Sequence, residues 1–251
     1  FWDFFDSKEH IIYYYLYFLE LKSMKMKHFV LIIIIFIYSS KAIAHSSHYE
    51  GLKKIEMDVL RNNEVIGSTS YFFEFDEDLF VVKNYTNFKV ELFGVKVFSI
   101  LSETIEKYKD DKLIFFKSNT FQNDKEKYVN LKYHKEKNKF IIDGSSFKGE
   151  ADIDCTIGNW WNHKIFKANK QISPLSGSIK KQTVNLIGTE NIIINNKEYS
   201  SEHFKIKSND ESLDEDKQFE FDVWYNPKNN LILKVTYNKM GNWEYRLRSF
   251  E

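Results

Sequence analysis

The stretch FDVWYNPKNNLILKVTYNKMGNWEYRL, residues 221–247, holds the pattern that decides the fold. Large apolar residues occupy alternate positions on both sides of Asn229-Asn230. Alternation of apolar and polar residues is typical of a β-strand with one buried face. Asparagine tolerates the positive φ that a tight hairpin turn requires. The stretch therefore predicts consecutive strands that pair antiparallel with their neighbours in sequence.

The same alternation continues through most of the chain after residue 50, with further turn signals at Asn62-Asn63 and Asn195-Asn196. The predicted strands cover residues 52–61, 64–75, 79–92, 95–106, 112–121, 127–135, 138–143, 180–188, 198–207, 217–225, 231–238 and 243–249. An open sheet of about a dozen twisted strands must curl or split. The predicted fold class is all-β, a curved antiparallel meander that forms an open or incomplete β-barrel.

Residues 152–179 interrupt the alternation. Aromatic and chemically active side chains are concentrated in this segment, namely Cys155, Trp160, Trp161, Asn162 and His163. We expect a short helix or a lid here that crosses the sheet.

A signal-like segment, MKHFVLIIIIFIYSSKAIAHSS, begins at Met26. It has a basic start, an apolar run and an Ala-Ile-Ala cleavage pattern, which are the three parts of a secretory signal. Its apolar run is about half the ~20 residues that span a membrane. We predict a signal peptide over 24–44, cleaved after Ala44, and a single all-β domain over 45–251 in the periplasm. The alternative is an uncleaved anchor. Residues 1–23 are interpreted as translation of upstream DNA.

Composition narrows the classes of partner. Residues 45–251 carry 31 Lys or Arg and 32 Asp or Glu, a net charge of −1, which gives no electrostatic basis for binding nucleic acid. No stable membrane span is expected after cleavage. Cys155 is the single cysteine, so an internal disulfide is excluded. No phosphate-binding loop, nucleophile elbow or metal-ligand motif occurs, and no cofactor is predicted.

The predicted ligand-binding residues are aromatic residues with neighbouring polar groups: Trp160, Trp161, Asn162, Trp224 and Tyr225. Trp160 and Trp161 would line or gate an apolar groove, and Asn162 would fix a polar group. The alternative is a hydrophobic plug that closes one end of the barrel, because aromatic side chains bury large apolar areas in any core.

Two other chemistries remain open. A hydrolase would use His163 or Cys155, although no nucleophile, base and orienting group stand out as a set. The amine and ring of His45 at the new N-terminus could bind copper with His48, since Cu(II) favours such nitrogen ligands. The alternative for these histidines is a frayed chain end.

Several motifs resemble an uncharacterised family of exported bacterial proteins known as a domain of unknown function. They are MDVLRNNEVIGS at 57–68, Trp161-Asn162, FDVWYN at 221–226 and EYRL at 244–247. The resemblance implies a periplasmic half-barrel related in shape to lipoprotein carriers, with a leaning toward lipid-like ligands.

Together these observations predict an exported binding module for a lipid-like or other hydrophobic molecule. The alternative is an interaction or assembly protein of the cell envelope, with a filled sheet interior and an envelope protein as its partner. The enzyme interpretation is the third and least supported by motifs.

Overall fold

The computed structural model describes residues 48–76, 78–210 and 218–251. Within those ranges the chain forms fifteen strands. They are β1 (Lys54–Arg61), β2 (Glu64–Asp76), β3 (Leu79–Leu92), β4 (Val95–Lys109), β5 (Lys112–Gln122), β6 (Lys125–His134), β7 (Lys139–Gly144), β8 (Lys148–Asp152), β9 (Thr156–Ile157), β10 (Lys170–Ile172), β11 (Ile179–Ile194), β12 (Lys197–Ser208), β13 (Glu220–Asn226), β14 (Leu231–Asn238) and β15 (Asn242–Phe250).

All fifteen strands belong to one sheet with the order β8-β7-β6-β5-β4-β3-β2-β1-β15-β14-β13-β12-β11-β10-β9. Neighbours in sequence are neighbours in the sheet, except that β1 pairs with β15 and that β8 and β9 are the two edges. The pairs are antiparallel apart from β9 and β10, which are parallel. The sheet does not close into a barrel, so the prediction of an all-β, open antiparallel meander is confirmed.

The chain connectivity requires the sheet to curl. Its edge strands β8 and β9 are joined by residues 153–155 alone, and four residue steps span at most about 14 Å. At the other end of β8, the amide of Ser146 donates to the carbonyl of Ser176 at 2.9 Å. Gly144 packs so closely there that a Cβ would lie 2.6 Å from that carbonyl oxygen. The turn between β10 and β11, which contains Ser176, therefore contacts the turn between β7 and β8 without any strand pairing there.

The predicted short helix in the interrupting segment is confirmed. A 3-10 helix covers His163–Lys167, and the Asn162 side chain caps it by accepting from the Lys164 amide at 3.0 Å. We call residues 158–178 the central segment. It lies against the concave face of the sheet, where Trp161 is buried with Tyr49, Phe73 and Phe80. Aromatic side chains thus fill the interior at this end.

A second apolar cluster lies at the opposite end of the sheet and consists of Val59, Phe88, Val90, Ile100 and Trp243. Between the two clusters the concave face is polar: Thr69 and Ser102 are buried there and hydrogen bond to neighbouring hydroxyls at 2.7 Å. These bonds across adjacent strands satisfy the hydroxyls without solvent.

Two strand predictions differ from the structure. Strand β11 continues to Ile194 instead of ending at Gly188, because a bulge between Leu186 and Gly188 absorbs the irregular sequence. Strands β8, β9 and β10 were not predicted, since five, two and three residues are too few for an alternation signal. The predicted signal peptide over 24–44, residues 1–23 and His45 lie outside the described residues. No helix within the described residues is long and apolar enough to cross a membrane.

Candidate functional site

A buried carboxylate lies beneath the central segment. Glu106 on β4 is 1% exposed and accepts hydrogen bonds from the Tyr108 hydroxyl at 2.5 Å, the Asn159 amide at 2.8 Å and the Trp161 indole at 3.0 Å. Burial raises the pKa of Glu106 to about 7, while these three donors oppose that shift. One side chain thereby anchors two residues of the central segment to the sheet.

A second group of bonds holds the start of the 3-10 helix. The hydroxyl of Tyr49 donates to the Trp161 carbonyl at 2.9 Å and lies 2.9 Å from Nδ1 of His163. A hydroxyl has one hydrogen but two acceptor sites, so His163 can donate its Nδ1–H to the same oxygen. Among the described residues, every buried side-chain nitrogen and oxygen has a hydrogen-bond partner. The polar side chains buried between the sheet and the central segment therefore form hydrogen bonds within the protein.

The predicted ligand residues separate into two groups. Trp160, Trp161, Asn162 and Tyr225 lie on the concave side: Trp160 packs edge-on against Phe221 with ring centroids 5.1 Å apart, and the Tyr225 hydroxyl bonds to a neighbouring turn. Trp161 is 1% exposed, which places its ring in the core.

Trp224 belongs to the opposite, outer face. It stacks on His203 with ring centroids 4.4 Å apart and donates from its indole to Glu190 at 2.6 Å. Lys234 covers its ring, 4.5 Å from the centroid, and Asp222 bonds to His203 at 2.8 Å. All of these contacts are on the outer face, so Trp224 does not share a site with the other four predicted residues.

A cleft of about 370 Å³ opens at the end of the curled sheet, beside the 3-10 helix. Its lining is mostly apolar and consists of Tyr108, Asp111, Lys112, Leu113, Tyr133, Phe140, Ile153, Asp154, Cys155, Thr156, Ile157, Asn162, Lys164, Lys167 and Ala168. Of the five predicted ligand residues, Asn162 lines it. The turn between β4 and β5, the β8–β9 connection and the helix meet here because the sheet curls.

The charged groups of the cleft differ in burial. Lys164 is partly buried, and burial lowers the pKa of its ammonium group, which donates to the Asp111 carbonyl at 2.8 Å. Lys112 and Lys167 are exposed at the mouth, as is Asp154. Lys164 is therefore the partly buried cation of the cleft, whereas its other two lysines are exposed.

The residues proposed for hydrolysis and copper binding can now be placed. Cys155 lines the cleft, but burial raises the pKa of its thiol to about 11, so the protonated form dominates near neutral pH. The His163 ring bonds to the Tyr49 hydroxyl, and His48 stacks on the His163 ring with centroids 5.3 Å apart. Among the described residues no cluster of three metal-ligating side chains occurs. Hydrolysis and copper binding stay predictions.

A second cleft of about 530 Å³ lies at the other end of the sheet and has a more polar lining. Its acidic residues already have partners: Glu220 pairs with Lys205 and Lys207 at 2.8 Å, and Glu244 pairs with Arg246. The first cleft, with its mostly apolar lining, is therefore the better candidate for a small-ligand site.

Sequence reasoning missed Glu106 and Lys164. The sequence does mark Glu106, because it lies an even number of residues from Ser102 and Tyr108 on β4 and so faces the interior with them. A carboxylate at such a position predicts buried hydrogen-bond donors around it. No comparable signal exists for Lys164, whose neighbours come from distant parts of the chain.

Comparison with known families agrees with the sequence motifs. The family described as "Domain of unknown function (DUF6134)" matches residues 57–248. The chain belongs to this family. The resemblance to a domain-of-unknown-function family is thereby confirmed, and the DUF6134 match runs from β1 into β15.

Two solved structures are similar to this chain, and the first of them supports the fold. A β-barrel-like protein of domain of unknown function DUF1849 from Brucella abortus has a TM-score of 0.54 at 10% identity, covering 80% of this chain and 97% of that chain. A Bacteroides fragilis protein described as a "putative exported protein with YmcC-like fold" has a TM-score of 0.36 at 10% identity, covering 79% of this chain and 94% of that chain. No curated protein matches the DUF6134 chain. The first likeness supports the β-barrel-like architecture.

Proposed function

We propose that this protein is an exported binding module for a small amphipathic molecule, which occupies the cleft beside the 3-10 helix. One observation carries the proposal: an apolar wall and a half-buried cation face the same 370 Å³ space. Small-ligand sites are mostly apolar with a few placed polar groups, and occupy about 300–1,000 Å³. The mouths of β-barrels are common places for such sites, and this cleft lies at the comparable end of a curled sheet.

The filled interior supports the end of the sheet as the place of binding. Trp161 and Tyr49 are at most 1% exposed, and their rings lie 5.0 Å apart at a steep angle. A ligand between the sheet and the central segment would have to displace both of them. Removing a large aromatic residue from a core costs about 3–5 kcal/mol, so the existing cleft is the less costly site.

Export is supported by the signal-like segment over 24–44. A basic start, an apolar run of about ten residues and the Ala42-Ile43-Ala44 pattern match a cleavable signal. A fold with the single cysteine Cys155 makes no internal disulfide, so its stability depends on sheet bonds and apolar burial. Cleavage after Ala44 would release the domain into the periplasm.

The test is to express the full chain, purify the exported product and measure displacement of the neutral probe N-phenyl-1-naphthylamine by amphiphiles. Thr156→Trp should block the cleft and lower the probe signal at least tenfold. Thr189→Trp, at an exposed position of β11 that does not line the cleft, is the matched control and should leave probe binding unchanged. Equal binding by both variants, or no binding by the parent protein, would contradict the proposal.

A second candidate is interaction with an envelope partner through the tip of the β3–β4 hairpin. Phe93 is fully exposed, and Leu92 and Val95 are about half or more exposed beside it. Phe93 has a φ of 52°, a conformation that costs energy for a bulky side chain. In the part of the chain that the structure describes, the other positive-φ residues except glycine and Met240 are Asn or Asp.

An exposed aromatic at a strained turn is expected where it contacts a partner. A photo-crosslinking residue at position 93 should yield discrete adducts with envelope proteins in the native cell, whereas one at Leu186, exposed on β11, should not. Equal adduct patterns at both positions would refute this candidate.

A further inference from the structure

We infer that the ligand of the cleft is an amphipathic anion, an acyl or alkyl chain with a carboxylate or phosphate head, and that Lys164 holds the head. The inference rests on the proposed function, because it requires the cleft to bind a ligand at all. It adds the sign of the charge and the residue that recognises it.

The Lys164 side chain is held at the cleft from both of its ends. The capped 3-10 helix and the bond from Nζ to the Asp111 carbonyl fix both ends of this side chain at the cleft. An ammonium group has three N–H donors, and within the described residues that carbonyl takes one of them. Donors at a partly buried cation give charge-assisted bonds to an anionic head, which are stronger than bonds to a neutral one.

The other charged residues of the cleft also favour an anionic ligand. Lys112 and Lys167 add two exposed cations at the mouth, whereas Asp111 and Asp154 add two acidic groups. Three cations against two acids leave a small positive balance, and the attraction of Asp111 favours the charged form of Lys164. A cationic ligand head would meet this ammonium group across a short, partly dehydrated distance, which is unfavourable.

The apolar wall of the cleft suits a hydrocarbon chain. Tyr133 and Phe140 contact each other edge to face with centroids 6.5 Å apart, and Leu113 and Ile157 line the same space. These side chains offer no charge and few hydrogen bonds, so a chain of methylene groups fits them. The cleft lies at the low end of the usual volume range, which favours a single chain over a two-chain lipid.

The experiment compares four ligands with the same ten-carbon chain: decanoate, decyl phosphate, decanol and decylammonium. Their affinities for the exported protein are measured by probe displacement at pH 7.5 below the micelle concentration. We expect at least one of the two anions to bind about tenfold or more tightly than decanol, and decylammonium to bind most weakly. The preferred anion distinguishes a carboxylate from a phosphate head.

Lys164→Met keeps the length of the side chain and removes the charge. It should lower the affinity of the preferred anion about tenfold and change that of decanol less than twofold. Lys117→Met, at an exposed position of β5, is the control and should change neither. Lys164→Gln provides a second test in case the methionine variant folds poorly.

The outcomes separate the two claims. If no ligand in the series binds, the proposed function fails and this inference fails with it. If decanol or decylammonium binds as tightly as both anions, or if Lys164→Met and Lys164→Gln leave anion affinity unchanged, the cleft binds amphiphiles but the assignment of an anionic head to Lys164 is overturned.

Discussion

Replacing Glu106 by glutamine should remove a pH dependence of stability that the buried network creates. The carboxyl is 1% exposed, and burial raises its pKa from 4.5 to about 7. The folded protein therefore binds the proton more tightly than the unfolded chain does. Its contribution to stability is fully present below pH 4.5 and is lost as the pH rises to about 7.

The size follows from the same shift. A difference of one pKa unit corresponds to about 1.4 kcal/mol, so a rise from 4.5 to about 7 amounts to about 3 kcal/mol lost across this window. Glutamine has a carbonyl oxygen that can accept from Asn159 and Trp161, and it does not titrate. The Glu106→Gln variant should therefore lack the pH-dependent contribution of Glu106 to the free energy of unfolding.

The assay is urea unfolding of the parent protein and Glu106→Gln at pH 4.5, 5.5, 6.5 and 7.5, followed by tryptophan fluorescence. Subtracting the two free energies at each pH cancels the contributions of the other titrating groups. We expect the difference to move by about 3 kcal/mol in favour of the variant as pH rises. Glu103→Gln, at an exposed position of the same strand, is the control. A difference that stays constant within about 0.5 kcal/mol would refute the reasoning.

Two substitutions and one chemical reaction test other contacts of the structure. Trp161→Phe removes the indole donor to Glu106 and should cost about 1.5–3 kcal/mol at pH 7.5, seen as a lower urea midpoint. Gly67→Ala should lower the free energy of unfolding by about 1–3 kcal/mol, because a Cβ would lie 2.1 Å from a backbone oxygen of β3. Gly188→Ala is the control and should change the free energy of unfolding little, because the space around Gly188 is open. Cys155 should react with iodoacetamide at pH 7.5 about a hundredfold more slowly in the folded than in the urea-unfolded protein, because folding raises its thiol pKa from 9.0 to about 11. Mass spectrometry would follow the alkylation, and equal rates in the two states would contradict the burial of the thiol.

The parts of the fold that depend on local pattern could be predicted from sequence. Asn62-Asn63 and Asn195-Asn196 both have positive φ and both join neighbouring strands, as their composition indicates. A two-residue turn is specified by its own side chains, and the alternation on either side fixes which face is buried. These two signals are enough to give the antiparallel meander, whereas its register also depends on bulges such as the one between Leu186 and Gly188.

The cleft could not be predicted, because it depends on the curl of the whole sheet. Leu113 and Ala168 line the same space although 55 positions separate them in the chain. Pattern reasoning singled out Trp160 and Trp161 for their size, and a large apolar residue is as useful in a core as in a binding site. Without the path of the central segment, the sequence cannot decide between these two uses.

The buried carboxylate has a physical reason that connects the core to the cleft. The irregular backbone of the central segment brings the Asn159 amide and the Trp161 indole into an apolar interior, where unpaired donors would be costly. An apolar residue in place of Glu106 would avoid burying a charge but would leave those donors unpaired. Tyr108 donates to Glu106 and accepts from Asn162 at 3.4 Å. Asn162 in turn caps the helix that carries Lys164, so the network beneath the central segment fixes the position of the cleft's half-buried cation.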